Sequence, residues 1–538
     1  MKYFSTRGGA ERLSFEEAVL AGLAPNGGLY IPEHIPTLPT DWQTKWKSHT
    51  FVQLSVEILS LFISETEMSR SELTSIVERS YSTFRHSDIT PLKKLDEKTR
   101  VLELFHGPTF AFKDVALQFL GNLFEFFLKR RNDKLAPGES PEKLTVVGAT
   151  SGDTGSAAIY GLRNKANVSI FILHPKGRVS PIQEAQMTTV TDANVHNVAV
   201  KGTFDDCQDI VKALFADTKF NATHRLGAVN SINWARILAQ TVYYFHSYLS
   251  LSSTEAQNFQ VQYVVPTGNF GDVLAGYYAK RMGLPMAKLA IATNSNDILA
   301  RFWKSGAYDK AADSSPGDVA AAAPAHGSSD GKQASSGGVL ETLSPAMDIL
   351  VSSNFERLLW YLSYQSITDG EEASRHRKAG EQLASWMNSV KADGRVQLSK
   401  EILESAKRDF VAEKVTDEQT LSTIRSHYQD ETTPYIADPH TAVGLAAARR
   451  IAPSNDPSII QVVLSTAHPA KFSEAVSQAL SPVSSFNFDR DVLPDEFKGL
   501  LEREKRVIDV ERPDIDLVKE VIERFVHAEK PVVTGASV

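Results

Sequence analysis

The rhythm of apolar and polar positions changes near residue 100. Before it, segments such as Ser14-Phe-Glu-Glu-Ala-Val-Leu-Ala-Gly22 place Ser14 at a helix start and Glu17 three residues on, a capping box. Residues 1–95 therefore read as a mainly helical N-terminal domain, interrupted by the turn-rich Ala24-Pro-Asn-Gly-Gly28. Beyond it, short apolar runs alternate with helical periods: Leu144–Val147, Val168–Leu173, Val195–Val200, Gln262–Val265, Leu289–Ala292 and Ile459–Leu464. Each is too short for a helix, rich in Val and Ile, and followed by Gly, Ser, Thr, Asn or Pro. Strands followed by helices predict an α/β fold with mostly parallel sheets over residues 96–482, and ligands in such sheets bind at the carboxyl ends of the strands. Ala307–Gly338 breaks the pattern, being dominated by Ala, Ser, Gly and Asp with Pro316 and Pro324, and is expected to be a flexible surface insertion. Residues 483–538 return to charged helical patterning and read as a C-terminal helical extension.

Composition narrows the class. The 538 residues are 42 % hydrophobic and 23 % charged, which excludes fibrous and wholly disordered chains. A net charge of −8 argues against a broad polyanion-binding surface, so no nucleic-acid partner is expected. No apolar run approaches the roughly 18 residues of a membrane span, and Met1–Arg12 lacks a secretory pattern, so a cytoplasmic protein with no membrane partner is expected. Cys207 is the only cysteine, leaving no internal disulfide and no cysteine-built zinc site, and no metal is expected. A small-molecule enzyme is the leading class.

Four loops could carry its chemistry. In Phe105-His-Gly-Pro-Thr-Phe-Ala-Phe-Lys-Asp114, Lys113 enters a densely apolar helix. Desolvation and the positive end of the helix dipole both favour the neutral amine that attacks a carbonyl. In Val146-Val-Gly-Ala-Thr-Ser-Gly-Asp-Thr-Gly155, a strand, a turn of small residues and a helix start expose amides and the Ser151 and Thr154 hydroxyls, a setting for a carboxylate. In Val264-Val-Pro-Thr-Gly-Asn-Phe-Gly-Asp272, Gly268 and Gly271 flank Asn269 and Phe270, so successive amides can form a nest for a phosphate, and Asp272 is expected to cap the helix. In Ile459–Phe472, the strand ends in Ser465-Thr466, hydroxyls able to meet a ring nitrogen, while His468 and Lys471 read as supporting residues. Taken singly, each loop also reads as a structural turn.

Together, and in this order, HGPTFAFKD at 106–114, ATSGDTGSAA at 149–158, PTGNFGD at 266–272 and STAHPAKF at 465–472 resemble the signatures of the threonine synthase family of fungal and enterobacterial type. That family lies within the fold type II, tryptophan-synthase-β-like pyridoxal-phosphate enzymes. Ser5-Thr-Arg-Gly-Gly9, Leu23–Leu29, Thr342–Asp348 and Ser353–Arg357 match it as well. The resemblance implies pyridoxal 5′-phosphate as cofactor, held as an aldimine on Lys113, with Gly268, Asn269, Phe270 and Asp272 in the cofactor loop and Thr466 at the pyridine nitrogen. It further implies that Ser151, Gly152, Asp153 and Thr154 grip the substrate carboxylate. The implied reaction converts O-phospho-L-homoserine and water to L-threonine and inorganic phosphate, with Lys176, Arg178 and Arg236 as unranked cations for the substrate phosphate. A serine or threonine dehydratase of the same fold, or a silent cofactor-binding regulatory relative, remains as an alternative. Monomer and homodimer both stay open.

Overall fold

The computed structural model describes residues 1–255, 259–310 and 338–528. All six Val- and Ile-rich runs are strands: Leu144–Ala149, Val168–Pro175, Val195–Val200, Gln260–Pro266, Leu289–Thr293 and Ile459–Ser465. Nearly every residue in them is buried, so neither face had to be polar and the runs lack alternation.

The strands sort into two sheets. One is wholly parallel, in the order Ile508–Val510, Val195–Val200, Val168–Pro175, Leu144–Ala149, Leu226–Gly227. The other runs Phe410–Lys414, Leu289–Thr293, Gln260–Pro266, Ile459–Ser465, Thr99–Glu103, Leu92–Lys94, parallel except for the last pair. Its register is pinned at the amino ends by a buried polar clamp. Gln461 Nε2 donates to Gln262 Oε1 at 2.9 Å, and Asn455 Nδ2 donates to the same oxygen at 2.7 Å. A one-residue slip would separate these amides and leave buried polar groups unpaired.

The N-terminal region forms the helices Phe15–Ala21, Trp42–Trp46, Phe51–Ser60 and Arg70–Tyr81, plus a two-stranded ribbon of Tyr3–Ser5 with Tyr30–Pro32. Ser14 and Glu17 close the expected capping box. These helices pack against two long buried helices, Lys113–Asn132 and Trp234–Thr254.

Two expectations need correction. The segment read as an insertion begins too early, because Ala307–Asp309 is a strand antiparallel to Arg395–Gln397 and Tyr308 is buried under Phe355. A single aromatic with a ring partner anchors those residues despite the polar composition around them; residues 311–337 lie outside the described residues. The C-terminal region, in turn, is not purely helical. Ile508–Val510 extends the five-stranded sheet, and Val510, Val518 and Ile522 bury against Cys207, Ile210 and Leu214. Three residues are too few to show a strand period.

The Lys113–Asn132 helix and the Asp153–Leu162 helix touch backbone to backbone. A Cβ added at Gly121 would fall 1.9 Å from the carbonyl oxygen of Gly161. Gly121→Ala is therefore expected to destabilise the protein by about 1–3 kcal/mol through overpacking, whereas Gly148→Ala, whose Cβ would meet Ile172 at an ordinary 3.5 Å, should be tolerated. Thermal unfolding of the two variants side by side checks this.

Candidate active site

Three adjacent parallel strands deliver three of the four loops to one edge. Gln260–Pro266 leads into Gly268, Ile459–Ser465 into Thr466, and Thr99–Glu103 into the loop before Lys113. Backbone hydrogen bonds stitch the last two together. Phe112 N–H donates to Thr466 O at 2.8 Å, and His468 N–H donates to Phe110 O at 3.0 Å. Leu144–Ala149 of the other sheet brings the fourth loop to the same place, as the ion pair described below requires.

Lys113 is the first residue of its helix, where amide dipoles point their positive ends at it. Burial, with help from the Lys471 and Arg236 cations and against the pull of Asp153, brings its amine down to about 8. Its Nζ has no hydrogen bond or ion pair among the described residues; the nearest aromatic face is that of Phe112, 5.9 Å away. The loop ahead of it is shaped by Asp114, which the sequence reading passed over. The carboxylate of Asp114 accepts from Thr109 N–H at 2.8 Å and Thr109 Oγ1 at 2.7 Å. Burial pushes that carboxyl up to about 6. Gly107 is needed here, since a Cβ would sit 2.4 Å from Asp114 Cβ.

The loop after Leu144–Ala149 is organised by Thr150, whose Oγ1 accepts from Gly152 N–H at 3.0 Å and Gly155 N–H at 2.8 Å. Gly152 lies at φ 152°, and a Cβ there would collide with Gln183 at 2.4 Å. Ser151 is exposed and Thr154 partly buried, with their hydroxyls unbonded among the described residues. Asp153 has a different setting. Its Oδ1 lies 2.8 Å from Lys471 Nζ and accepts from Gln183 Nε2 at 2.7 Å. Burial works against its charge, yet Lys471 and Lys113 hold the carboxyl well below its usual range. Asp153 is thus a fixed anion already neutralised by Lys471. Lys471, with no exposed side-chain surface, also donates to Thr109 O at 2.7 Å.

The glycine loop offers an anion cradle. The N–H groups of Gly268, Asn269 and Phe270 donate to no backbone acceptor among the described residues, and Phe270 sits at φ 62° before the Gly271–Met282 helix. Ser352 and Asn354 hold the loop's outer side: Ser352 Oγ donates to Gly268 O at 2.7 Å, and Asn354 N–H donates to Asn269 O at 3.0 Å. Gly268 is the glycine that space demands, because its Cβ would approach Ala346 O to 2.8 Å, while at Gly271 the nearest atom would be 3.4 Å away. Asp272 does not cap the helix as expected. Its carboxyl turns to the neighbouring Trp234–Thr254 helix, where the Tyr243 and Tyr244 hydroxyls donate to it. Thr466 is largely buried, and its hydroxyl is unbonded among the described residues. His468 packs edge-on between Phe105 and Phe110, and burial drops its imidazole to about 4, which fits a structural role.

The three candidate cations separate clearly. Lys176 is exposed and paired with Asp509 at 2.9 Å, and Arg178 is exposed. Arg236 is 3 % exposed, donates to Val229 O at 2.8 Å, and leaves its Nε unpartnered. No carboxylate pairs with it among the described residues. Asn354 Nδ2 reaches both Ser231 O at 3.2 Å and Asn269 O at 3.0 Å, so it joins the turn before Arg236 to the cradle.

Removing one partner of a buried ion pair leaves the other stranded. Lys471→Met is expected to cost about 3–5 kcal/mol at neutral pH by exposing the Asp153 charge to an apolar site. Adding Asp153→Asn should restore part of that loss, because no buried charge is then left alone. Denaturant titrations of the single and double variants measure the coupling.

Comparison with known proteins places this arrangement. A model described as threonine synthase N terminus matches residues 2–81, one described as pyridoxal-phosphate dependent enzyme matches 86–337, and one described as threonine synthase, C-terminal, matches 441–522. The threonine synthase of Schizosaccharomyces pombe is 55 % identical over 98 % of this chain and 99 % of its own length. That of Saccharomyces cerevisiae is 52 % identical, covering 97 % of each. Among solved structures, yeast threonine synthase superposes with a TM-score of 0.89 at 50 % identity, covering 98 % of this chain and 99 % of its own. Threonine synthase from Brucella melitensis with bound pyridoxal phosphate gives 0.83 at 39 %, with the same coverage. The chain belongs to the threonine synthase family of pyridoxal-phosphate dependent enzymes.

Proposed function

We propose that the protein converts O-phospho-L-homoserine and water to L-threonine and inorganic phosphate, with Lys113 as the lysine that carries the cofactor and moves protons. The residues fit pyridoxal phosphate on their own chemistry. Lys113 offers an unbonded amine with lowered basicity, Gly268–Phe270 offer free amides for a phosphate, and Thr466 offers a neutral hydroxyl for a ring nitrogen. When bound, the cofactor supplies an electron-accepting ring that eases proton removal next to the substrate's amino group.

The observation that carries the reading is Arg236. A substrate phosphate needs a cation, and the Arg236 guanidinium, paired with no carboxylate among the described residues and near enough to Lys113 to lower its basicity, supplies that charge. A dehydratase acting on serine or threonine has no such second anion to place. Lys113 takes protons from Cα and Cβ of the substrate at its Nζ, which suits an amine of basicity near neutrality. Phosphate then leaves from Cγ, held by Arg236; protons return to Cγ and finally to Cα, while water gives its hydroxyl to Cβ and its proton balances the charge of the released phosphate. The Ser151 and Thr154 hydroxyls and the amides at the start of the Asp153–Leu162 helix bind the substrate carboxylate, while Gly152, its N–H taken by Thr150 Oγ1, shapes the turn. Asp153 serves that loop through Lys471 and Gln183, not by touching a second carboxylate.

Lys113→Ala should abolish phosphate release from O-phosphohomoserine, and borohydride reduction of the parent followed by peptide mapping should label Lys113. A label on Lys471, or full activity of the variant, would overturn the assignment. Arg236→Met should raise KM for O-phosphohomoserine by about 10- to 100-fold, the worth of a charge-assisted hydrogen bond. Release of ammonia and a 2-oxo acid instead of phosphate would favour the dehydratase.

A further inference from the structure

Asp438 caps the Pro439–Ile451 helix and is wholly buried. Four donors converge on its carboxylate: the N–H groups of His440 at 2.9 Å and Thr441 at 3.3 Å, the Thr441 hydroxyl, and His440 Nδ1 at 2.8 Å. A carboxylate met by four donors has no hydrogen to give, so Nδ1 carries the hydrogen of the ring. The other ring nitrogen reaches a different part of the chain. His440 Nε2 accepts from Ala346 N–H at 3.1 Å, which requires its lone pair and therefore the neutral imidazole. The ring itself is buried and lies edge-on against Phe472, 4.8 Å between centroids. The turn that His440 reaches, Pro345–Met347, is in backbone contact with the glycine loop. A Cβ on Gly268 would meet Ala346 O at 2.8 Å and Met347 Cα at 3.2 Å. The same turn is tied to the end of Leu289–Thr293, where Asn294 Nδ2 donates to Ser344 Oγ at 3.1 Å and to Asp348 Oδ1 at 2.7 Å. Through Asp438 the histidine is also linked to the strand that ends before Thr466, since the Ser465 hydroxyl lies 2.9 Å from Thr441 Oγ1.

We propose that His440 is a positioning residue: held by Asp438 with its hydrogen on Nδ1, it presents a lone pair at Nε2 that docks the Pro345–Met347 turn against Gly268 and so fixes the wall behind the Gly268–Phe270 amides. This rests on the reading of those amides as the phosphate cradle. Asp438 needs no histidine two residues on to cap its helix, because the backbone N–H groups and Thr441 already satisfy it. What the imidazole adds is a donor on one side and an acceptor on the other, a bridge from the helix start to Ala346. Asparagine and glutamine each reproduce half of that bridge. The asparagine Nδ2–H can stand in for Nδ1–H at Asp438, and the glutamine Oε1 can stand in for Nε2 at Ala346.

The test compares wild type, His440→Gln and His440→Asn as full-length, cofactor-stripped enzymes. Two quantities are read: amide hydrogen exchange of the peptide spanning residues 342–348, and the ratio of Kd values for pyridoxal and pyridoxal phosphate from equilibrium dialysis. His440→Gln should keep both within about twofold of wild type, while His440→Asn should speed exchange of that peptide and lower the ratio by about tenfold each, the worth of one hydrogen bond to a buried donor. Exchange in the Val- and Ile-rich strands should not change in either variant. Rescue by glutamine and not by asparagine is what action through Ala346 requires. The opposite order, expected if the histidine serves only to pair with Asp438, or two variants that behave alike, would overturn the proposal. Faster exchange with an unchanged ratio would also overturn it, since the turn would then be docked without shaping the site. Ala346→Pro removes the N–H while leaving Asp438 and His440 in place, and it carries the test if the histidine variants fail to fold. It should reproduce the fall in the ratio; a wild-type ratio would count against His440. Gly268→Val addresses the cradle separately. If the preference for pyridoxal phosphate over pyridoxal survives it, the cradle lies elsewhere and that reading fails, while the exchange measurement still decides whether His440 docks the turn.

Discussion

The site depends on one buried ammonium. Lys471 Nζ lies between the Asp153 carboxylate at 2.8 Å and the Thr109 carbonyl at 2.7 Å, and so ties together the Lys113 loop, the start of the Asp153–Leu162 helix and the segment that follows Thr466. These three pieces come from two different sheets. A buried ion pair is a poor source of net stability, because desolvation offsets most of the attraction. What it supplies is a single permitted geometry, since any separation of the sheets strands a charge. The same pair acts on Lys113, where Asp153 raises and Lys471 lowers the amine's basicity while burial, the largest effect, lowers it.

A second set of contacts fixes the opposite wall. Asn354, Glu356 and Arg357 share the first turn of the Phe355–Ser366 helix and reach three regions. Asn354 holds the Asn269 carbonyl and the Ser231 carbonyl, Arg357 donates to Tyr30 O at 3.0 Å and Ile232 O at 2.7 Å, and Glu356 accepts from Thr6 Oγ1 at 2.6 Å. The N-terminal ribbon, the turn before Arg236 and the Gly268–Phe270 loop are thereby braced against each other. Every donor of this cluster points at a carbonyl or carboxylate oxygen, so the cluster positions the elements around it. It explains how the N-terminal region can matter to a site built on other elements.

Charge is distributed with the same economy. Arg236, Lys113 and Lys471 gather positive charge in one place, and Asp153 is the acid held ionised beside them. Two other buried acids, Asp114 and Asp272, have their carboxyls raised by burial to about 6 and about 7.

The sequence by itself determined the six central strands, the helix that Lys113 opens and the loops that follow three of those strands. Strands buried on both faces must be continuously apolar, and glycine-rich turns at their carboxyl ends are local features of composition. It did not reveal Thr99–Glu103, because Arg100 interrupts that run; its charge is met only across the fold, by Glu255. Nor did it reveal Ile508–Val510, whose partner Val195–Val200 lies some three hundred residues earlier. Lys176, Arg178 and Arg236 were indistinguishable as letters, and burial alone separated them. Asp153 and Asp272 carry the same side chain at two helix starts, yet tertiary structure gave one a lysine and the other two tyrosines, and so shifted the two carboxyls in opposite directions. Ionisation depends on what lies within a few ångströms in space, and spacing along the chain does not encode it.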